Sequence, residues 1–337
     1  MATLVKTIPP APATKRGFAS SLHSWQNRLA YCSGTCVFLA TLEDFSSCQV
    51  YREHLHPTTC ARFSPNGVFV ASGDESGQVN VWTCGNEEIS TRLSTALFNG
   101  AIKDIAWSED SQRLVAVGQG LQSYGKVIMA DSGNNIGEIS GHSKTLLTCD
   151  FRPTRPFRIV TAGEDFLVNV CNGPPFRLTK SHQHHTNYVN SVRFSPDGQM
   201  MLSVSSDKKV LILAGESGEL VKEIPLNEGH SGSIVACVWV DNGHFATCGL
   251  DKKVKTWDLE GVTRSFTVGE DLADQQVGLA YCAGQIVSLS LRGALNVWGN
   301  EDFPAKISLS HRGKVSNLAF YGNQLISADF EGNLRTF

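Results

Sequence analysis

HSGSIVACVWVDNGHFATCGLDKKVKTWD, running from His230 to Asp258, decides how this chain is read. Three short runs in it, Ser233 to Val240, His244 to Cys248 and Val254 to Trp257, have the β-branched and aromatic content of strands. The breaks between them, Asp241-Asn242-Gly243 and Leu250-Asp251-Lys252-Lys253, are turn chemistry. Four residues stand out: His230 ahead of the first run, Thr247 in the second, Asp251 in the following turn, and Trp257 in the third. A buried indole N–H needs an acceptor, and a hydroxyl, an imidazole and a carboxylate can close a hydrogen-bonded chain around it. Such a network pins a turn to a neighbouring loop. It is read as structural, because a catalytic His-Asp pair needs a nucleophile and Thr247 is better employed accepting from the indole.

Counting tests the same pattern elsewhere. A histidine four residues before an apolar strand residue recurs at His56, His142, His185, His230 and His311, with gaps of 86, 43, 45 and 81. The outer gaps are about twice a unit of roughly 40–45 residues, so two units lack the histidine rather than the strands. Those units are expected at about 101–141 and about 275–310. The spacing of Thr247, Asp251 and Trp257 carries over to Thr161, Asp165 and Cys171, and to Ser203, Asp207 and Leu213. It also selects Ser327, Glu331 and Phe337, and Ser72, Ser76 and Trp82, so that only the unit of His230 keeps all four residue types. The pattern resembles the WD-repeat β-propeller, an all-β ring of four-stranded sheets.

Composition agrees. At 337 residues the chain is long for an ordinary domain, but propellers grow by adding sheets around a channel. The formal charge of −3 and the lack of a basic run give no reason to expect nucleic acid or an acidic membrane surface as partner. Ten cysteines are scattered without a C-x-x-C pair, and Cys149 and Cys237 fall inside expected first strands, as small core residues do. The start, MATLVKTIPPAPATKRG, has no apolar signal region, and no stretch approaches the roughly 20 apolar residues of a membrane helix. A soluble, reducing, cytoplasmic setting is expected.

In chain order, residues 1–16 read as a Pro/Ala-rich tail. Residues 17–43 offer three extra strand-like runs, GFASSLHSW, RLAYCSG and CVFLATL, followed by a fourth at about Cys48 to His54. Units then follow to residue 337, the last stopping at its third strand. An unpaired edge is a liability. The preferred expectation is therefore that Ser46 to His54 pairs beside Gly332 to Phe337, closing seven blades over 44–337 and leaving 17–42 over. The alternative is an eight-bladed ring that uses those strands.

Between units the sequence is idiosyncratic. VASGDESGQVNVW at Val70, AIKDIAWSEDSQR at Ala101, YGKVIMADSGNNIGEISGH at Tyr124, RPFRIVTAGED at Arg155, GPPF at Gly173, YVNSVRFSPDG at Tyr188 and DQQVG at Asp274 come in a fixed order. Together they resemble the N-terminal propeller of the actin-interacting protein 1 family, from about residue 50 onward. Members usually hold two seven-bladed propellers, so this chain is about half their length. The resemblance implies a protein that binds actin filaments decorated with cofilin and speeds their disassembly. It places the family's binding positions on Gln122, Glu164, Leu178 and Tyr188. Glu164 keeps the charge and Tyr188 the ring, whereas Gln122 and Leu178 lose a charge and a ring, which predicts weakened or partner-shifted binding.

The residues also have plainer readings. Phe176, after two prolines, is either a staple under a sheet edge or a partner contact. Tyr188 also reads as a buried ring at the head of a strand, and Glu164 as a solvated turn residue. Arg155-Pro156-Phe157-Arg158 reads as an exposed basic-aromatic turn, and Glu109-Asp110 as a solvated one. In the cluster His182, Gln183, His184 and His185, the last histidine is already a repeat position and no cysteine or carboxylate set adjoins it, so no metal is expected. No Gly-rich phosphate loop opens a helix, so no cofactor is expected. A generic interaction scaffold or substrate receptor is the alternative function; an enzyme has no nucleophile-base pair to support it.

Overall fold

Short apolar runs closed by Gly, Asn and Asp turns give 31 strands among the described residues of the computed structural model. It describes residues 9–45, 47–85, 89–225, 229–299, 304–307, 311, 315–322, 324–329 and 334–336. The strands form eight antiparallel sheets in chain order, seven of four strands and one of three. The sixth sheet holds Ile234–Trp239, His244–Gly249, Lys253–Asp258 and Val262–Thr267, each paired to the next. Its first strand is buried along almost its whole length, whereas its fourth alternates between shielded and exposed residues. That gradient follows from position: an inner strand is covered on both faces by neighbouring sheets, and an outer one faces water on one side. Among the described residues the helical element is one 3-10 turn, Leu272–Asp274, and no helix is long and apolar enough to cross a membrane.

The first strands of successive sheets pack against one another: Leu22–Trp25, Thr58–Phe63, Ile102–Trp107, Leu146–Phe151, Val189–Phe194, Ile234–Trp239 and Gln276–Cys282. Leu22–Trp25 touches both Thr58–Phe63 and Gln276–Cys282. Apolar layers fill the spaces between sheets; one joins Leu29, Tyr31 and Phe38 of the first sheet to Val277, Val287 and Leu295 of the seventh. The cysteines belong to these layers, eight of ten being buried, and burial pushes the Cys237 thiol up to about 11, which keeps it an unreactive thiol at neutral pH.

Two expectations about the N-terminal region change. Gln49–Tyr51 pairs with Cys36–Thr41, not beside the chain's last strand, and completes a first sheet whose other strands are Leu22–Trp25 and Arg28–Ser33. The physical reason is local: strands joined by tight turns pair with their sequence neighbours before any long loop must close. Tyr51 then stacks on Trp82 of the second sheet, with ring centroids 4.4 Å apart. The Pro/Ala stretch is also more than a tail from residue 9 on. Tyr31 and Ser33 donate to the carbonyls of Pro10 and Ala11, the Ala13 amide donates to Cys32, and Thr14 donates to the Leu291 carbonyl at 2.5 Å. These bonds lace the stretch to both the first and the seventh sheets. The eighth sheet, Val315–Tyr321, Gln324–Asp329 and Leu334–Thr336, has its first strand exposed from end to end.

A charged lattice ties the inner strands together. Asp104 of the third sheet accepts from Arg62 of the second at 3.1 Å and from Thr148 and the Cys149 amide of the fourth, both at 3.2 Å. Its carboxylate also meets Arg193 of the fifth sheet at 3.0 Å. Burial alone would raise the Asp104 carboxyl, but the two guanidiniums outweigh it and hold it below the usual value. Burial and the same guanidiniums push the neighbouring His23 imidazole down to about 3, so it stays neutral among them.

Candidate functional site

The hydrogen-bonded chain expected around Trp257 is present. The indole N–H donates to Thr247 Oγ1 at 2.8 Å, Thr247 Oγ1 lies 2.8 Å from His230 Nε2, and His230 Nδ1 lies 2.9 Å from Asp251. With Nδ1–H donating to the carboxylate, bare Nε2 accepts from the hydroxyl and the chain runs one way, Trp to Thr to His to Asp. The arrangement is repeated at His142, Thr161 and Asp165, and at His185, Ser203 and Asp207. Cys171 and Leu213 stand there in place of the tryptophan, both fully buried.

Two units differ from expectation. In the second sheet the histidine is His54, buried, while His56 is exposed. His54 contacts Asp74 at 2.9 Å and Ser72 at 2.7 Å, and Trp82 donates to Ser72 at 3.1 Å, so this unit also holds all four residue types. Ser76 is not in the chain; it donates to Asp74. In the eighth sheet His311 reaches Ser327 at 2.6 Å and Asp329 at 2.9 Å, which displaces Glu331 from the role; Glu331 and Phe337 lie outside the described residues. The third sheet lacks the histidine as expected, and the seventh keeps Trp298 donating to Ser288 at 2.8 Å.

These carboxylates carry a pH dependence. Burial would raise Asp207, but hydrogen bonds from His185 and from the Thr186 and Lys209 amides win and take it from 3.8 to about 2. A folded value below the unfolded one stabilises above pH about 4, and that contribution is lost as pH falls toward 2. The melting temperature is expected to drop through this window, and to drop less steeply in Asp207→Asn; an identical slope in the variant, read by circular dichroism, would remove the assignment.

The second-to-third-strand turn of one sheet and the loop entering the next lie at the same end of the molecule, because the strands run antiparallel. At that end the turn after Gly163 meets the loop before Val189. Phe166 takes φ 68°, as Lys208 and Lys252 take 71° and 66° at the same turn position of the next two sheets. A lysine satisfies the turn twice, so folding does not ask for an aromatic there, and a bulky residue at positive φ carries strain. The Phe166 ring lies 5.8 Å from that of Tyr188, which is 44% exposed, and Lys144 Nζ stands 5.7 Å from its centroid. Glu164 is half-buried in the same turn, its amide donating to the Thr145 carbonyl. Glu164 thus shares its turn with Phe166, whose ring is the one that meets Tyr188. Gln122 is exposed on the next loop round, beside Leu121 at 83% exposure.

Phe176 and Leu178 do not join them. Phe176 is wholly buried, edge-on to Phe151 at 5.6 Å, at the opposite end of the strand Val168–Asn172. It is the staple and not a surface contact, because its ring fills the layer between the third and fourth sheets. Leu178 is half-buried in the same layer and packs against Gly141, where an added Cβ would collide with its methyl carbon. Phe166, Lys144 and Leu121 went unnoticed in the sequence; the signal available was a ring at a turn position that other units fill with lysine. Elsewhere, His182 and His184 stack at 5.0 Å and donate from Nε2 to the Ser217 and Gly218 carbonyls. Arg158 is buried and paired to Glu216 at 2.7 Å, so the basic-aromatic turn is only partly exposed.

Four-stranded sheets bearing these hydrogen-bonded chains define a WD-repeat protein, and the WD domain, G-beta repeat model matches residues 45–83, 176–212 and 218–258. Each match begins near the outer strand of one sheet and ends in the third strand of the next, one strand out of phase with the sheets themselves. The chain belongs to the actin-interacting protein 1 family, also named WD repeat-containing protein 1. It is 39% identical over 268 residues to actin-interacting protein 1 of Drosophila melanogaster, covering 79% of this chain and 44% of that protein. It is 34% identical to WD repeat-containing protein 1 of Gallus gallus, covering 94% and 53%, and 38% identical to actin-interacting protein 1-2 of Arabidopsis thaliana, covering 98% and 57%. The chain thus spans about half the length of the curated relatives it matches.

Proposed function

We propose that this chain is a non-enzymatic actin-regulatory protein of the actin cytoskeleton, which binds cofilin-decorated actin filaments and promotes their disassembly. The relatives' names, which state an interaction with actin, carry the reading. The rim of Glu164, Phe166 and Tyr188 supplies what a partner needs, an exposed aromatic step with a cation and an anion at its edges. A bound protein shifts a filament toward disassembly only by its differential affinity for the decorated state. Co-sedimentation with filaments, with and without cofilin, reads this directly: binding only with cofilin and more actin in the supernatant is expected. Tyr188→Ala and Phe166→Ala are each expected to weaken pelleting by about tenfold or more, the size of an aromatic anchor's loss, with folding unchanged. Absence of co-sedimentation well above micromolar concentrations would sink the proposal.

The ring itself is read as the first seven sheets, from Leu22–Trp25 to Ala305–Ile307, closed where the first sheet meets the seventh, with the eighth sheet standing outside it. The contacts of Leu22–Trp25 on both sides support this. A generic scaffold is the second reading: Leu178 turned into a layer and Gln122 without charge favour it, and capture of a partner in the absence of actin and cofilin tests it.

A further inference from the structure

At the end of the molecule that carries Tyr188, the inner strands open into a cavity of about 350 Å³ lined by Lys15, Phe18, Glu75, Lys103, Leu147 and Asn190 among others. Lys15 comes from the N-terminal stretch and Lys103 from the inner strand of the third sheet. Their ammonium groups stand 5.1 and 5.3 Å from the centroid of one ring, that of Phe18, so they lie within about 10 Å of each other. Neither is paired with a carboxylate of the described residues; Glu75 and Glu164 act on Lys103 only over longer range. Burial first, and then the charge of Lys15, hold Lys103 below the usual lysine value, as expected of two cations crowded at one opening. Of the other polar groups nearby, Arg16 donates to Gln275 and the Asn190 amide donates to Ser206 and to the Ile234 carbonyl, while the Glu75 carboxylate also lines the opening and leaves the two ammonium groups in excess by one charge.

We propose that this opening receives a carboxylate side chain from an acidic segment of a protein partner, with Lys15 and Lys103 on the carboxylate and Phe18 beneath its methylenes. Charge complementarity asks for an anion. The apolar floor of Phe18, Pro57 and Leu147 asks for one that brings carbon with it, which a free inorganic anion does not. Asn190 and Leu147 lie near the starts of the strands that follow Tyr188 and Lys144, so a partner seated on that rim covers the opening. This placement rests on the reading of the rim as a protein-binding face.

The test is titration of the full chain with a fluorescein-labelled hexaglutamate peptide, followed by anisotropy at low salt. Binding is expected, hexaglutamine is expected not to bind, and Lys15→Gln with Lys103→Gln is expected to weaken hexaglutamate about tenfold or more with an unchanged circular dichroism spectrum. Tyr188→Ala is expected to leave peptide affinity within about twofold while weakening filament binding. Equal binding by the double variant overturns the site. Displacement by inorganic phosphate at concentrations similar to the peptide's overturns its assignment to a peptide side chain. Peptide binding without any cofilin-dependent filament binding supports the site and counts against the actin reading alone.

Discussion

Thr247→Val is expected to destabilise the protein more than Trp257→Phe, although it removes far less volume. In the directed chain of the sixth sheet, Thr247 accepts the indole N–H and donates to His230. Valine leaves two buried groups without partners, an N–H and an imidazole nitrogen, at about 1–3 kcal/mol each. Phenylalanine removes the donor itself and leaves only a lone pair on Thr247 unmet, and under-satisfied acceptors are tolerated better than orphaned donors. The fourth and fifth sheets already lack the donor, with Cys171 and Leu213, paired to Ile159 and Met201, at the register position that Trp257 takes opposite Phe245. Trp257→Ala is different again. The side chain is fully buried against Phe245 and against Leu202, Val204 and Ile212 of the neighbouring sheet, so the cavity alone is expected to cost about 3–5 kcal/mol. Urea unfolding at constant slope measures all three, and a Thr247→Val cost below that of Trp257→Phe would overturn the direction assigned to the chain.

The units were legible because turn residues and strand periodicity recur at nearly constant spacing, which needs no long-range information. The exceptions have particular causes. His54 was passed over because the residue four positions on is Thr58, polar yet buried; its hydroxyl donates to the Gly34 and Cys36 carbonyls, so an apolar filter rejects a strand start that is chemically satisfied. Asp74 and Asp329 were missed because they reach the histidine from two residues earlier than Asp251 does, at the end of a strand instead of inside a turn. The lattice around Asp104 joins residues 42 to 45 apart on adjacent sheets and reaches Arg193 two sheets on, and nothing local distinguishes those charges from surface ones. At the proposed rim, motif order singles out Glu164 and Tyr188. Phe166 was not, since its exposure depends on a backbone conformation that the sequence of one turn does not announce.

Removing residues 1–51 is expected to unfold the protein, whereas removing 311–337 is expected to leave its melting temperature nearly unchanged. The first sheet buries Leu29, Tyr31 and Phe38 against Val277, Val287 and Leu295 of the seventh on one side. On the other it buries Ala30, Leu39 and Tyr51 against Phe63, Val70 and Trp82 of the second. Uncovering large apolar side chains costs about 1.5–3 kcal/mol each, and the six that the deletion leaves facing water, Phe63, Val70, Trp82, Val277, Val287 and Leu295, together match the roughly 5–15 kcal/mol by which a domain is stable. Among the described residues the eighth sheet offers no such layer, its first strand being exposed at Leu318, Phe320 and Tyr321. Point changes keep the question answerable where the deletion gives no folded material. Leu29→Ala and Val287→Ala are each expected to cost about 1–4 kcal/mol, and to couple in a double-mutant cycle because one apolar layer contains both. Strict additivity, or a fall in melting temperature on losing 311–337 comparable to that on losing 1–51, would place the seam elsewhere and return the eighth sheet to the ring.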